Sequence, residues 1–367
     1  MDDIININNE SRIKNVYEKI INRQRVSNED ALYLYEYDNL FLLGYLANIV
    51  KERLNGRNVY YNKNIHVEPT NNCVYNCKFC SYSARISGKS WILSEEKILA
   101  NVLKYKNSGI TEVHITGGVY RLFDLNFYCN LFAKIKQEMP DLHIKALSAV
   151  EIKYLADIHN VNFDTCIKQL KNAGLNSIPG GGAEIFDESI REVICGDKAN
   201  AKEWLDIHRA VHLNGLYSNA TMLYGHLESY ANRVGHLEKL RLLQDETNGF
   251  KSFIPLKFKN KNNALNSIVE ATNIEDLKNY AVSRIYLDNF SHVKAYWPMI
   301  GIDMTMNSLY FGVDDIDGTI DNTTKIYEMA GVSDRQGLTE IELINYIKRE
   351  GFVAVERDSN YNILKIN

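Results

Sequence analysis

The chain has no long hydrophobic run. Its longest apolar stretch, Leu40 to Val50, is interrupted by Gly44, Tyr45 and Asn48 and is too short to span a bilayer. It has no strong excess of one charge either: Lys and Arg total 42 against 46 for Asp and Glu, a formal net charge of -4. That balance argues against a nucleic-acid or anionic-membrane surface. The amino terminus, Met1-Asp-Asp-Ile-Ile-Asn, lacks a basic region followed by an apolar core, so no signal peptide is expected and a cytoplasmic location is. Cysteine is sparse, six in 367 residues. Three of the six crowd into one loop, which suits a metal site in a reducing compartment better than a disulfide scaffold.

That loop is Cys73-Val-Tyr-Asn-Cys77-Lys-Phe-Cys80, between a short extended run, Asn64 to Thr70, and the polar segment Ser81 to Ser90. Iron–sulfur clusters are held by thiolates and normally take four, so three cysteines on one loop leave one iron open to an outside ligand. Zinc is the competing reading. Structural zinc is closed and tetrahedral, usually with a second ligand pair at a distance, and no second pair exists here. Cys129, Cys166 and Cys195 stand alone in helix-like segments, where a free cysteine behaves as a small buried hydrophobe.

Ser11 to Leu54 carries apolar residues at helical spacing, with Ser27-Asn28-Glu29-Asp30 as a turn and N-cap, which predicts a helical preface. From residue 64 the pattern becomes strand, helix, strand, helix. Short strand-like runs appear at 65–67, 113–116, 144–147, 177–179, 218–222, 252–256 and 294–297, separated by segments of helical periodicity. This alternation predicts an α/β fold built on a parallel TIM-type barrel, full or nearly full. A doubly wound open sheet is the alternative, but its G-x-G-x-x-G fingerprint is absent. The end of the chain, Phe352 to Asp358 and then Asn360 to Ile366, predicts a two-stranded β closure. The expected division is 1–60 for the helical segment, 61–320 for the barrel and 321–367 for a C-terminal helix and hairpin.

In a parallel barrel, ligands sit beyond the carboxyl ends of the strands. The residues there are rich in glycine: Thr116-Gly117-Gly118-Val119, Pro179-Gly180-Gly181-Gly182-Ala183-Glu184 and Tyr224-Gly225-His226-Leu227-Glu228. Three such segments in register with a cysteine loop predict one shared pocket.

The C-x3-C-x2-C spacing, with the aromatic Phe79 directly before the last cysteine, resembles the radical S-adenosylmethionine (SAM) superfamily. The resemblance implies a [4Fe-4S] cluster on Cys73, Cys77 and Cys80 whose open iron is chelated by SAM. An electron from the cluster then splits SAM into methionine and a 5′-deoxyadenosyl radical. Gly117 and Gly118 match the superfamily's Gly-Gly-Glu, which helps bind the cofactor's amino group, and Val119 stands where the acidic residue would be. Longer runs, among them Lys145 to Ile152, Pro179 to Phe186, Asn219 to Glu228, Gln244 to Phe250 and Lys294 to Trp297, resemble aminofutalosine synthase of the futalosine route to menaquinone.

That second resemblance implies a transferase. The adenosyl radical adds to the enol-ether double bond of 3-[(1-carboxyvinyl)oxy]benzoate. Rearrangement and loss of a carboxyl carbon as CO2 or bicarbonate then give 6-amino-6-deoxyfutalosine. A reductant such as flavodoxin or ferredoxin is implied as a partner. The near relatives, cyclic dehypoxanthinyl futalosine synthase and the deazaflavin-forming enzymes, supply the alternative, a reaction by hydrogen abstraction.

Such a substrate carries two carboxylates on an aromatic body, so its pocket should offer cations, hydrogen-bond donors and aromatic walls. His66, Arg85, His226 and Arg233 are the expected substrate contacts. Arg121 and Lys294 are further cations, and Tyr224, Tyr296 and Trp297 are candidate walls. Tyr82, Glu151, Glu184 and Glu228, with Gly117 and Gly118, are the expected cofactor contacts. The competing readings are surface ion pairs for the arginines, a core role for His66, and helix capping or loop bracing for the carboxylates. His208 and His212 lie four apart on one helical face but lack the intervening glutamate of a metalloprotease, and they read as structural. No catalytic acid or base is assigned.

Overall fold

The computed structural model describes residues 11–318, 324–332 and 337–367. The hexapeptide behind the signal-peptide expectation lies outside the described residues. Eleven strands form the sheet: β1 (Asn58–Tyr61), β2 (Asn64–Val67), β3 (Glu112–Ile115), β4 (His143–Ala146), β5 (Ser177–Ile178), β6 (Tyr217–Tyr224), β7 (Phe250–Lys257), β8 (His292–Ala295), β9 (Asp315–Ile316), β10 (Val353–Arg357) and β11 (Ile363–Ile366). Their order is β11-β10-β1-β9-β8-β7-β6-β5-β4-β3-β2. Every pairing among them is parallel except β10 with β11. β1 and β2 are consecutive halves of one extended run, split only by Asn62 and Lys63. One half pairs with β9 and β10 inside one side of the sheet and the other with β3 at the opposite edge, so the chain itself closes the curl of the sheet into a TIM-type barrel.

Side chains alternate across each strand, and the alternation here separates two chemistries. Ile65, Val67, Val113, Ile115, Ile144 and Ala146 belong to the apolar core shared with the surrounding helices. Their neighbours Asn64, His66, Glu112, His114 and Lys145 line a cavity inside the barrel. The core is therefore the layer between strands and helices, and the barrel's own interior is polar.

The helical preface is present as Ser11–Ile21, Asn28–Glu36 and Leu40–Asn55. Ser27 caps the second helix in a reciprocal capping box with Asp30, which satisfies two otherwise orphaned N–H groups. The first helix buries Ile13, Val16 and Ile20, and the third packs along the helix Asn273–Tyr286. The C-terminal closure is also present, and Asp358 accepts hydrogen bonds from the Asn360 and Asn362 amides in its turn.

The strand pattern needs three corrections. β1 was not expected, because four residues between a helix and Asn62 are too few to show a period. β9 was not expected either: it comprises two residues inside Asp314-Asp315-Ile316-Asp317, and aspartate is depleted in strands. The run expected at 294–297 ends at Ala295, and Trp297 opens a short helix with Pro298 in its first turn.

Candidate active site

The cysteine loop is clamped by its neighbours. Gly118 N donates to Thr70 O at 2.8 Å, and Val74 N donates to Val119 O at 2.9 Å. Lys78 N reaches Ile194 O at 2.8 Å, Ala264 N reaches Lys78 O at 2.9 Å, and Asn76 N donates to Asp197 Oδ2 at 2.7 Å. Segments after β3, β5 and β7, among them the helix Glu188–Cys195, thus fix its path. Gly117 and Gly118 are glycine because the loop crosses directly over them. A Cβ on Gly118 would lie 2.2 Å from Asn72 O, and one on Gly117 would lie 2.7 Å from Thr70 O.

Cys73, Cys77 and Cys80 are free thiols, each partly exposed. Burial pushes all three upward from the ordinary thiol range, so thiolates here need a cationic centre to form. Val119 N donates to Cys73 Sγ at 3.4 Å. Among the described residues, no three His, Cys, Asp or Glu side chains are close enough to share one metal ion. A cluster does not need three donors on one ion, since each thiolate binds a different iron. The donor set, three thiolates on one clamped loop, fits a [4Fe-4S] cluster.

Beside the loop, a cavity of about 150 Å³ is lined by Phe79, Cys80, Tyr82 and Glu184. It shares Leu256 and Ile326 as walls with the barrel cavity of about 200 Å³. The barrel cavity runs from Thr116, Pro179 and Tyr296 at the carboxyl ends of the strands down to Asn64 and Glu112 at their starts. The soft-metal loop and the polar chamber are thus neighbours, with Leu256 and Ile326 as their common wall.

The expected cofactor contacts divide between the cavities and the loops that shape them. Tyr82 is buried and its hydroxyl donates to Thr70 O at 3.1 Å. Glu184 has a left-handed backbone, φ 45°, and pairs with the buried Lys198, whose ammonium lies 5.0 Å from the Phe79 ring centre. Glu151 sits in the first turn of the helix Ala149–Ile158. Its Oε2 accepts from Ser148 N at 2.6 Å, Ser148 Oγ at 2.8 Å and Thr116 Oγ1 at 3.3 Å, and burial raises it to about 7. Glu228 accepts from Gly225 N at 2.6 Å and His226 N at 2.9 Å, which braces the loop after β6.

The expected substrate contacts divide more sharply. His66 lines the barrel cavity, as do Lys294 and Tyr296. His226 bonds Leu223 O through Nε2 at 3.0 Å and lines neither cavity. Arg233 is committed to Glu228 at 2.8 Å and Glu275 at 2.5 Å, with the rings of Tyr224 and Tyr230 each 5.4 Å away. Arg85 is exposed and donates to Val74 O at 3.2 Å. His208 and His212 both bond Ser218 Oγ in the core. Glu68 takes Thr324 Oγ1 at 2.8 Å and Lys325 N at 3.0 Å and does not line the barrel cavity.

Sequence reasoning missed His114, Lys145, Glu112 and Asp317, all of which line that cavity. The signal was available for the first two. Val-His-Ile and Ile-Lys-Ala each place one polar residue between apolar neighbours, as Ile-His-Val does at His66. Lys145 Nζ lies 2.8 Å from Glu112 Oε1 and 2.7 Å from Oε2. Although burial opposes it, the Lys145 ammonium holds Glu112 well below the carboxylate range. Burial lowers Lys294, against the pull of Asp315. His66 and His114 are likewise lowered by burial, which favours the neutral imidazole in both.

The radical SAM superfamily model matches residues 67–240, and the CofH/MqnC C-terminal region model matches 247–367. The aminodeoxyfutalosine synthase of Thermus thermophilus is 40% identical over 97% of this chain and 96% of its own. The protein of the same name from Streptomyces coelicolor is 35% identical over 95% and 93%. A 5-amino-6-(D-ribitylamino)uracil–L-tyrosine 4-hydroxyphenyl transferase from Methanoculleus marisnigri is 33% identical over 96% and 98%. Among solved structures, methylornithine synthase superposes with TM-score 0.74 at 17% identity, covering 92% of this chain and 96% of that one. The [FeFe]-hydrogenase maturase HydG gives 0.75 at 14%, covering 95% and 77%, and these two likenesses bear on the fold. With its cysteine loop, its barrel and these full-length matches, the chain belongs to the aminodeoxyfutalosine synthase family of the radical SAM superfamily.

Proposed function

We propose that this chain is a radical SAM transferase that joins the 5′-deoxyadenosyl group of SAM to 3-[(1-carboxyvinyl)oxy]benzoate. It forms 6-amino-6-deoxyfutalosine and releases methionine and CO2 or bicarbonate, a step of menaquinone biosynthesis. The observation that carries the reading is the adjacency of two cavities that share Leu256 and Ile326 as walls, one beside Cys80 and the other lined by Lys145, Lys294 and His66. When bound on Cys73, Cys77 and Cys80, the cluster and SAM supply the adenosyl group as a radical.

The protein's own residues contribute binding, orientation and exclusion of water. The clamped loop fixes the three sulfurs, and Tyr82, Glu184 and the Gly117-Gly118 backbone shape the space beside them. The barrel encloses the acceptor, and enclosure protects a reactive species from side reactions. Polar groups inside the chamber match an anionic, aromatic acceptor. A cytoplasmic setting and a small reductant such as flavodoxin or ferredoxin complete the reading.

The matches to the 4-hydroxyphenyl transferases, at 32–35% identity, support a second reading, a reaction by hydrogen abstraction. One experiment separates them. The reconstituted protein is incubated anaerobically with reductant, SAM and the enolpyruvyl ether, and the products are analysed by mass spectrometry. An adenosyl adduct is expected; free 5′-deoxyadenosine as the main product would favour the second reading.

A further inference from the structure

His114 and Lys145 are direct neighbours in the β3–β4 register, and both side chains line the barrel cavity below Thr116. His66 is the next residue in the same row, paired with His114 across β2 and β3, with ring centres 4.8 Å apart. His114 Nε2 is buried and has no hydrogen-bond partner among the described residues. Leaving such a group unpaired is costly, and its position on the cavity wall points to a ligand as the partner.

The two ends of the cavity differ. Its upper end shares Leu256 and Ile326 with the cavity beside the cysteine loop, so the double bond that accepts the adenosyl group faces that way. A meta-substituted benzoate then directs its ring carboxylate down the barrel, toward the row of His66, His114 and Lys145. The charged groups around this row are Glu112, which is paired with Lys145 at 2.7 Å, together with Lys294 and Asp317.

We propose that His114, with Lys145 beside it, binds the ring carboxylate of the acceptor and thereby aims the enol ether at the cysteine loop. The assignment rests on the proposed function for the identity of the acceptor. Neutral His114 donates one N–H to a carboxylate oxygen, and Lys145 offers the ammonium it already shares with Glu112. His114 is a specificity and positioning residue, and no proton transfer is assigned to it.

The test is a binding cycle on the reconstituted, anaerobic protein by titration calorimetry. The enolpyruvyl ether and its analogue lacking the ring carboxylate are each titrated into the wild type, His114→Leu and His114→Gln. Removing the carboxylate and introducing His114→Leu should each weaken binding about tenfold or more. The combined change should cost little beyond removal of the carboxylate alone, because the His114 contact is already lost with that carboxylate. His114→Gln, which keeps a donor, should retain most of the discrimination between the two compounds and serves if the leucine variant fails to fold. Losses that simply multiply, or a His114→Gln variant whose preference is unchanged alongside a His114→Leu variant equally unchanged, would overturn the assignment. A wild type that shows the coupled binding but forms no adenosyl adduct would sink the reaction reading and leave the carboxylate site standing.

Discussion

Arg357 Nη2 lies 2.6 Å from Asp315 Oδ2, and both side chains are almost completely buried. The pair links the C-terminal hairpin to β9 at the lower end of the barrel, and the Tyr361 hydroxyl bonds the same carboxylate oxygen. Tyr361 also stacks on His292, ring centres 3.8 Å apart. Removing one member of a buried pair leaves the other charge uncompensated, so Arg357→Met should lower stability by about 3–5 kcal/mol. Urea denaturation of the two proteins measures this, and a loss under about 1 kcal/mol would show that water reaches the pair.

Cys77→Ala should leave the barrel folded, because the residue lies on a loop outside every strand and helix. Iron bound after anaerobic reconstitution and SAM cleavage should both collapse, while the circular dichroism melt stays close to that of the wild type. A variant that still binds its full iron and cleaves SAM would refute the ligand assignment.

Gly118→Ala brings a Cβ to within 2.2 Å of Asn72 O, a backbone atom that cannot rotate away. Relief requires the cysteine loop to lift, and overpacking of this kind costs about 1–3 kcal/mol. We expect a lower melting temperature together with reduced iron loading per chain. Normal loading would mean that the loop tolerates the shift.

Glu68 titrates abnormally: burial raises it from the ordinary 4.5 to about 7, against hydrogen bonds from Thr324 and the Lys325 amide that lower it. A carboxyl that holds its proton more tightly when folded binds more protons in the native state between these two values. Its stabilising contribution is thus complete below about pH 4.5 and is lost as pH rises to about 7, with no further loss beyond. Glu68→Gln should flatten that decline in urea midpoints measured from pH 5 to 7.5. An unchanged slope would assign the decline to other groups.

The barrel was legible in the sequence because its strands and helices repeat with distinct periods, and the cysteine loop because its spacing is local. Arg233 shows where such reading stops. Its place after a strand suggested a free cation, but its commitment to Glu228 and Glu275 depends on residues 5 and 42 positions away, and pairing of that kind leaves no local trace. Glu151 and Glu228 behave partly as capping and bracing groups, which their positions beside helix starts did indicate. Lys145 and His114 were open to detection. The alternation that singled out His66 applies equally to them, and aligning the strands in register would have brought the three into one row.

The C-terminal hairpin also acts on the interior of the barrel. Asp315 Oδ2 takes both the Arg357 guanidinium and the Tyr361 hydroxyl, and Lys294, on the cavity wall, lies 3.7 Å from Asp315 Oδ1. A lesion in the last two strands would therefore be felt at a cation that faces the chamber, which ties the chemistry of the interior to the folding of a segment that does not line it.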